Sequence, residues 1–221
     1  MAVTGTRTIR QMCTAALRRA QVIAIDEDPE AADLAEAMDE LDFMLKSWQN
    51  SGYQIWAYTS GSLTLTTSAA HTLDPVRPLQ IVTARFKRNG IEIPMQQMTR
   101  TEYDNLPQKT SQGTPTQFYY DRQREAAKFY VWPVLATASG ETVEYTYVRE
   151  LEDVTDPDAV LDVPGEWWEA TVYGLAARLA ETYNLNDVYA KLAPRAAVKL
   201  DEALSFDREG SVFFAGPYAD A

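Results

Sequence analysis

The feature that most constrains this chain is a pair of aromatic segments, Phe118–Tyr120 and Phe129–Trp132, joined by a short polar linker. Both segments favour β structure, and a Gly-Thr-Pro turn precedes them, so the pattern predicts a β-hairpin. Successive strand residues point to opposite faces, which puts Tyr130 and Trp132 on one face and the other two residues of the second segment on the opposite one. A strand that is apolar on both sides must be covered on both, by its own domain or by a neighbouring copy.

Other β signals surround this hairpin. The dipeptide Asn89-Gly90 lies between two β-favouring runs, which is the pattern of a two-residue hairpin turn. Thr99 with Glu102 forms a capping box and predicts one short helix after it. We therefore predict a β-rich segment over about residues 53–149.

Helical periodicity brackets that segment, with helices predicted over about 6–22, 29–51, 164–183 and 186–207. The second is predicted to have Asp28 as its N-cap and Pro29 as its first residue, the third to begin at Pro164, and the fourth to kink or break at Pro194. The fold class is then α+β: a helical bundle from N- and C-terminal helix pairs, a central β-rich insertion and an extended C-terminal tail. We expect one domain over 1–208 and a tail over 209–221.

The tail is unusually apolar for a free terminus. It contains Val212, Phe213, Phe214 and Tyr218, and the burial of each aromatic ring is worth about 1.5–3 kcal/mol. Either these residues fold back on the bundle of their own chain, or they dock on another protein.

Composition excludes several function classes. The net charge of −12 argues against a general nucleic-acid binder, because phosphate affinity is largely cationic. The basic cluster Arg85, Lys87 and Arg88 is interpreted as an exposed strand end rather than a DNA contact. Cys13, the single cysteine, falls on a buried helical stripe and predicts neither a disulfide framework nor a cysteine metal site. Without a signal peptide or a run of transmembrane length, the chain is expected to be soluble and made in a cytoplasm.

Charge divides the first two predicted helices. Four arginines are the only charges before residue 26, and nine carboxylates without a basic residue lie from Asp26 to Asp42. These are either two solvated faces or, in a closed ring, two faces that meet between neighbouring subunits. The candidate interface residues are Arg7, Arg10, Arg18, Arg19, Glu36, Asp39 and Glu40, together with Tyr130 and Trp132 of the hairpin.

The sequence contains little that points to catalysis, and we expect no catalytic residue, no metal site and no cofactor. His71, the single histidine, is interpreted as a loop or surface residue. Glu166 stands beside Trp167 and Trp168, and a carboxyl group near apolar rings can have a raised pKa, so a glycan hydrolase stays an alternative. A favourable interaction with the helix dipole explains the same glutamate more simply.

Three segments, 103–109, 113–133 and 163–168, resemble in their order the head-to-tail connector or adaptor family of tailed bacteriophages. These proteins are also called packaged-DNA-stabilisation proteins or tail accessory factors. The segments are packing motifs, and the likeness extends to about residue 208. The resemblance implies the same helical bundle with a β-rich insertion, and a structural role without enzymatic activity.

The resemblance also implies partners. It predicts a ring of identical subunits, twelve in number, that sits beneath the portal protein, extends the DNA channel, retains packaged DNA and offers a platform to the next tail protein, a nozzle or tail hub. Double-stranded DNA would pass through without specific binding, and the apolar tail would reach the portal. The expected location is the virion, at the portal vertex, after assembly in the host cytoplasm. The alternative from another class is a carbohydrate- or peptide-binding module.

Overall fold

A computed structural model describes residues 6–52, 55–75 and 77–206. The chain forms two compact units: a helical unit, Met1–Ile55 with Leu151–Ala221, and a sheet unit, Trp56–Glu150. The predicted tail with Val212, Phe213, Phe214 and Tyr218 lies outside the described residues.

The α+β fold class is confirmed. The α-helices are α1 (Ile9–Arg19), α2 (Ala31–Asn50), α3 (Arg100–Asp104), α4 (Trp168–Thr182) and α5 (Asn186–Phe206). The strands are β1 (Tyr58–Thr64), β2 (Ala70–Thr72), β3 (Gln80–Arg88), β4 (Ile91–Gln97), β5 (Gln117–Asp121), β6 (Lys128–Trp132) and β7 (Thr142–Val148). Short 3-10 turns occupy Ile55–Ala57 and Gly165–Trp167.

The start of α1 is set by a capping box. The backbone N–H of Gln11 donates to the Thr8 hydroxyl oxygen at 3.3 Å, and the Gln11 side chain accepts from the Thr8 N–H at 3.3 Å. Two backbone donors of the first turn are thereby satisfied, so the helix begins at Ile9 rather than near residue 6. Cys13 is completely buried in this helix, as its spacing predicted.

Two predictions at prolines were wrong, and a third was wrong in part. The first turn of α2 begins at Ala31 after an extended Glu30, while the Asp28 carboxylate lies 3.7 Å from Arg18 instead of capping the helix. Pro164 precedes the 3-10 turn, so α4 begins only at Trp168. α5 continues through Pro194 as one helix, so the alternative of a break there was wrong. The carbonyl that loses its partner there belongs to Ala190, which is exposed, so water can replace the missing hydrogen bond.

In the helical unit α1 and α2 both pack on α4, and α5 packs along another side of α4. Gly174 lets α2 approach closely, since a Cβ atom there would lie 2.9 Å from the Met44 sulfur. Nearby, the rings of Trp48 and Trp167 meet with centroids 5.5 Å apart. These contacts mark the face of α4 that α2 covers.

The sheet unit holds one seven-stranded sheet in the order β1-β7-β3-β4-β5-β6-β2. Neighbouring strands are antiparallel except β4 and β5. The turn between β3 and β4 has positive φ at Asn89 (51°) and Gly90 (78°), as a two-residue hairpin of right-handed twist requires. The predicted aromatic hairpin is β5 paired with β6, and its inner residues Phe118, Phe129 and Val131 are buried in the core.

Candidate interaction surfaces

Two of the four predicted interface arginines bind groups of their own chain. Arg10 donates two hydrogen bonds to the Asp158 carboxylate, at 2.9 and 3.4 Å, and this contact holds the pKa of Asp158 below its usual range. Arg18 donates to the carbonyl of Glu27 at 2.8 Å. Both contacts fix the segments beside α1, and each engages part of the guanidinium within the chain.

The other two arginines lie over aromatic rings of the helical unit. The guanidinium carbon of Arg7 is 5.5 Å from the ring centroid of Trp168, and that of Arg19 is 4.3 Å from the ring of Tyr173. Both side chains are exposed, and such cation–π contacts orient a guanidinium without neutralising it. Arg7 and Arg19 therefore remain positive groups on the open surface along α4.

This open surface continues from α1 across α4 to α5. One shallow depression lies between α1 and α4, and a second between α4 and α5; Arg19 over Tyr173 and a 3.1 Å ion pair from Lys199 to Glu169 connect them. We call the whole depression the cationic groove; its residues are Arg7, Met12, Ala15, Arg19, Trp168, Glu169, Val172, Tyr173, Pro194, Arg195, Val198 and Lys199. It combines apolar walls with a largely basic rim.

The outer side of α2 is acidic. Glu40 is drawn to Arg178 of α4 at 3.7 Å, and Asp33 accepts a hydrogen bond from the Tyr183 hydroxyl at 2.6 Å. Glu36 and Asp39 are exposed. One turn after Asp39, Phe43 lies on the same side of the helix and is 63% exposed. We call Glu36, Asp39 and Phe43 together the acidic face.

Sequence reasoning named Glu36 and Asp39 but missed Phe43 and the contribution of α5. Phe43 falls outside the apolar stripe of α2, at positions 34, 38, 41, 45 and 48. A large apolar residue off the stripe is the signal that would have found it. Nothing in the linear pattern shows that α5 supplies Pro194, Arg195 and Val198 to the same groove as α1.

The hairpin residues Tyr130 and Trp132 are partly covered by their own unit. Tyr103 of α3 packs on Tyr130 and on Tyr119, with ring centroids 5.0 and 5.1 Å apart. The Trp132 indole N–H donates to the Gln108 carbonyl at 3.1 Å. Both side chains remain half-buried, so their place in a subunit interface stays a prediction that concerns only their exposed portions.

His71 is not a loop or surface residue, and that interpretation was wrong. It lies in β2, opposite Phe129 of β6, and is buried. Its Nε2 accepts a hydrogen bond from the Thr66 N–H at 3.1 Å, and burial lowers the pKa of the imidazole. A three-residue strand is too short to leave a periodic pattern, which is why the sequence did not reveal it.

The premise for the glycan hydrolase is not met at Glu166. This residue is exposed at the first turn before α4 rather than enclosed by rings. Trp167 is fully buried against Trp48, and the Trp168 indole N–H donates to the Val163 carbonyl at 3.2 Å. Over the described residues, no group of three or more histidine, cysteine or carboxylate side chains could hold a metal ion.

The basic cluster on β3 is matched by carboxylates of its own sheet. Arg85 lies 3.3 Å from Glu92, and Arg88 lies 3.1 Å from Glu141. Lys87 is within 4.0 Å of Glu144. This agrees with the interpretation of an exposed strand end.

A helical unit with oppositely charged outer surfaces, joined to a sheet unit rich in packed aromatic residues, is typical of a protein whose contacts are with other proteins. Comparison with family models is consistent with that class: the chain belongs to the SU10 adaptor protein family, whose model matches residues 7–212. The resemblance to phage head-to-tail adaptors is thereby confirmed. Membership implies a phage structural adaptor with a non-enzymatic role, contacts with other virion proteins and a location in the virion.

No curated protein matches the chain. In the part of the chain that the structure describes, no helix has the length and apolar character that a membrane span requires.

Proposed function

We propose that this protein is the head-to-tail adaptor that forms a ring of identical subunits, twelve in number, beneath the portal of a phage particle. The observation that carries the proposal is the family match over residues 7–212. The charge distribution supports it, because a closed ring with a head-to-tail interface needs two different, complementary surfaces on each subunit. The cationic groove and the acidic face are two such surfaces.

In this role the ring extends the portal channel and retains the packaged genome. A net charge of −12 suits a channel wall that DNA must leave quickly, since phosphates bound to basic side chains would slow ejection. Double-stranded DNA is then a passing polymer and not a specific ligand.

The apolar tail is the proposed link to the portal, through Val212, Phe213, Phe214 and Tyr218. The opposite end of the ring offers the platform for the next tail protein, a nozzle or tail hub. A truncation after Glu209 tests the link: the variant should fold, yet bind portal rings with at least tenfold lower affinity. Unchanged affinity would exclude the tail as the portal contact.

The ring itself is tested by mixing the purified full-length protein with the portal protein of the same phage and imaging the product by electron microscopy. We expect a second ring stacked on the portal, absent when the portal is imaged alone. A carbohydrate- or peptide-binding module would leave the portal unchanged, and that result would overturn the proposal.

A further inference from the structure

We propose that, in the ring, Phe43 on the acidic face of one copy inserts into the cationic groove of the next copy. This inference rests on the proposed ring and names the surfaces that join its subunits. It is carried by the placement of the two surfaces, by their chemistry and by the exposure of Phe43.

The two surfaces lie on different sides of α4, and a head-to-tail interface needs two different surfaces on each subunit. Trp167 and Gly174 face α2, since they lie against Trp48 and Met44. With about 100° between successive helical residues, Tyr173 points about 100° away from Gly174, and Glu169 and Val172 point about 140–160° away. α2 therefore cannot fill the groove of its own chain, and its outer side points outward for another molecule.

The chemistry of the two surfaces is complementary. The part of the groove between α4 and α5 has apolar walls from Tyr173, Pro194 and Val198, and the exposed guanidinium of Arg195 at its rim. Phe43 is an aromatic anchor with carboxylates one and two turns before it, at Asp39 and Glu36. Buried aromatic anchors in pockets dominate interface energies, while charges around them fix the orientation.

The four arginines in and just before α1 divide into two groups in this arrangement. Arg10 and Arg18 hold Asp158 and Glu27 of their own chain, whereas Arg7 and Arg19 lie at the groove. The interface therefore uses α1 only in part and takes the rest of its positive charge from α5. Among the residues that the structure describes, Arg7, Arg19 and Arg195 form no ion pair within the chain.

The test is a disulfide between copies. Phe43→Cys and Val198→Cys replace exposed side chains, and the native Cys13 is completely buried, so it does not compete for oxidation. The doubly substituted protein, assembled on portal rings and mildly oxidised, should give a ladder of covalent oligomers on a denaturing gel. Ala197→Cys in place of Val198→Cys is the matched control, because Ala197 is exposed but turned about 100° away from the groove.

The ladder should reach at least tenfold the intensity of the control. A disulfide between positions 43 and 198 of one chain is not expected, because α2 and α5 each pack on α4, and the Cα atoms that a disulfide joins lie within roughly 7 Å of each other. Rings that assemble on the portal without a ladder would overturn this interface while leaving the adaptor function in place. Absence of rings from the unsubstituted protein would instead refute the adaptor function.

A second pair of cysteine substitutions tests whether the tail of the same chain occupies the groove. If the tail of the same chain fills it, Val198→Cys with Phe213→Cys should give an intramolecular disulfide in the free protein. That product would overturn the proposal.

Charge reversal is a separate test of the interface. Asp39→Arg and Arg195→Glu should each lower ring assembly at least tenfold, and combining them in one chain should recover part of that loss. No loss in either single variant would also overturn the proposal.

Discussion

At the residue scale, Gly61 of β1 is a position where one missing atom decides the packing. Tyr145 of β7 stands directly opposite it, and a Cβ atom on Gly61 would lie 2.5 Å from that ring. The Tyr145 ring is buried, and its hydroxyl donates to the Asp74 carbonyl at 2.8 Å. The Tyr145 ring packs over Gly61 because glycine has no side chain.

We predict that Gly61→Ala lowers the free energy of unfolding by about 1–3 kcal/mol, because the ring must shift and strain its hydrogen bond. Urea denaturation measures the change. Ser60→Ala, an exposed substitution at the adjacent position, should stay within about 0.5 kcal/mol. In a Tyr145→Ala background the cost of Gly61→Ala should vanish; an additive cost would contradict the packing argument.

Cys13 provides a second prediction at this scale. Burial raises the pKa of its thiol from 9.0 to about 12, so at pH 8 the thiolate fraction is about a thousandfold lower than in the unfolded chain. A thiol reagent should therefore label the native protein at least a hundredfold more slowly than the protein in urea. Because the unfolded thiol ionises first, this burial also makes stability fall as the pH rises from about 9 towards 12. Equal labelling rates would contradict the burial of Cys13.

At the scale of single elements, α3 determines how much of the aromatic hairpin is covered. Its N-terminus is fixed by a capping box in which the Glu102 N–H donates to the Thr99 hydroxyl at 3.2 Å and the Thr99 N–H donates to Glu102 at 2.7 Å. The short helix then places Tyr103 on Tyr119 and Tyr130. A five-residue helix depends on such caps, since it is too short to be stable alone.

We predict that Thr99→Ala costs about 1 kcal/mol and loosens the tyrosine stack, which near-ultraviolet circular dichroism would report. Thr101→Ala, an exposed position inside the same helix, is the control and should be nearly neutral. Hydrogen bonds from Thr99 lower the pKa of Glu102, so their contribution is present above the ordinary carboxyl range and lost as the pH falls through the lowered pKa. Thr99→Ala keeps the backbone N–H and removes the hydroxyl that donates to Glu102, so the difference between the variant and the native protein should shrink in part in acid. A difference that grows would contradict the cap.

α5 carries Pro194 in its interior, where proline is unfavourable by about 3 kcal/mol relative to alanine. We predict that Pro194→Ala stabilises the protein, by up to that amount in urea denaturation, because it restores a donor for the Ala190 carbonyl. Ala197→Ser, on the same exposed helix, should change stability by less than about 0.7 kcal/mol. If Pro194→Ala stabilises the monomer but weakens ring assembly, the proline is retained for its place in the groove wall.

At the scale of the whole molecule, many of the described basic side chains bind carboxylates or carbonyls of their own chain. Arg10, Arg18 and Arg178 bind carboxylates or a carbonyl of the helical unit, and the cluster on β3 binds carboxylates of the sheet unit. Against a net charge of −12, little positive surface remains for phosphates. Among the described residues, three cations without an ion pair, Arg7, Arg19 and Arg195, come together at the groove, where we propose that a second copy docks.

We predict that the free protein does not shift duplex DNA in a gel at 150 mM salt and a protein concentration of about 10⁻⁵ M, because non-specific binders need several uncommitted basic contacts. Ring assembly on the portal should weaken as salt rises, since the subunit contact is partly electrostatic. A DNA shift that disappears in Arg7→Glu and Arg195→Glu variants would instead assign the groove to nucleic acid.

The elements themselves were readable in the sequence because they follow from local chemistry. Helical periodicity located the four long helices, Asn89-Gly90 located a hairpin turn, and the aromatic alternation located the β5–β6 pair. The order of three packing motifs was enough to indicate the family. The N-cap at Asp28 failed because its carboxylate pairs with Arg18, a contact that local rules do not include. Pro164 precedes a 3-10 turn instead of opening α4, and Pro194 does not break α5 because water can satisfy the exposed Ala190 carbonyl.

Only the tertiary structure decided which surfaces exist. It committed Arg10 and Arg18 to their own chain, left Arg7 and Arg19 over aromatic rings, and brought α1 and α5 to the two sides of one groove. It also buried His71 and turned Phe43 outward. Periodicity fixes the face of a helix but not what lies opposite that face, because the partner is chosen by packing between segments more than a hundred residues apart.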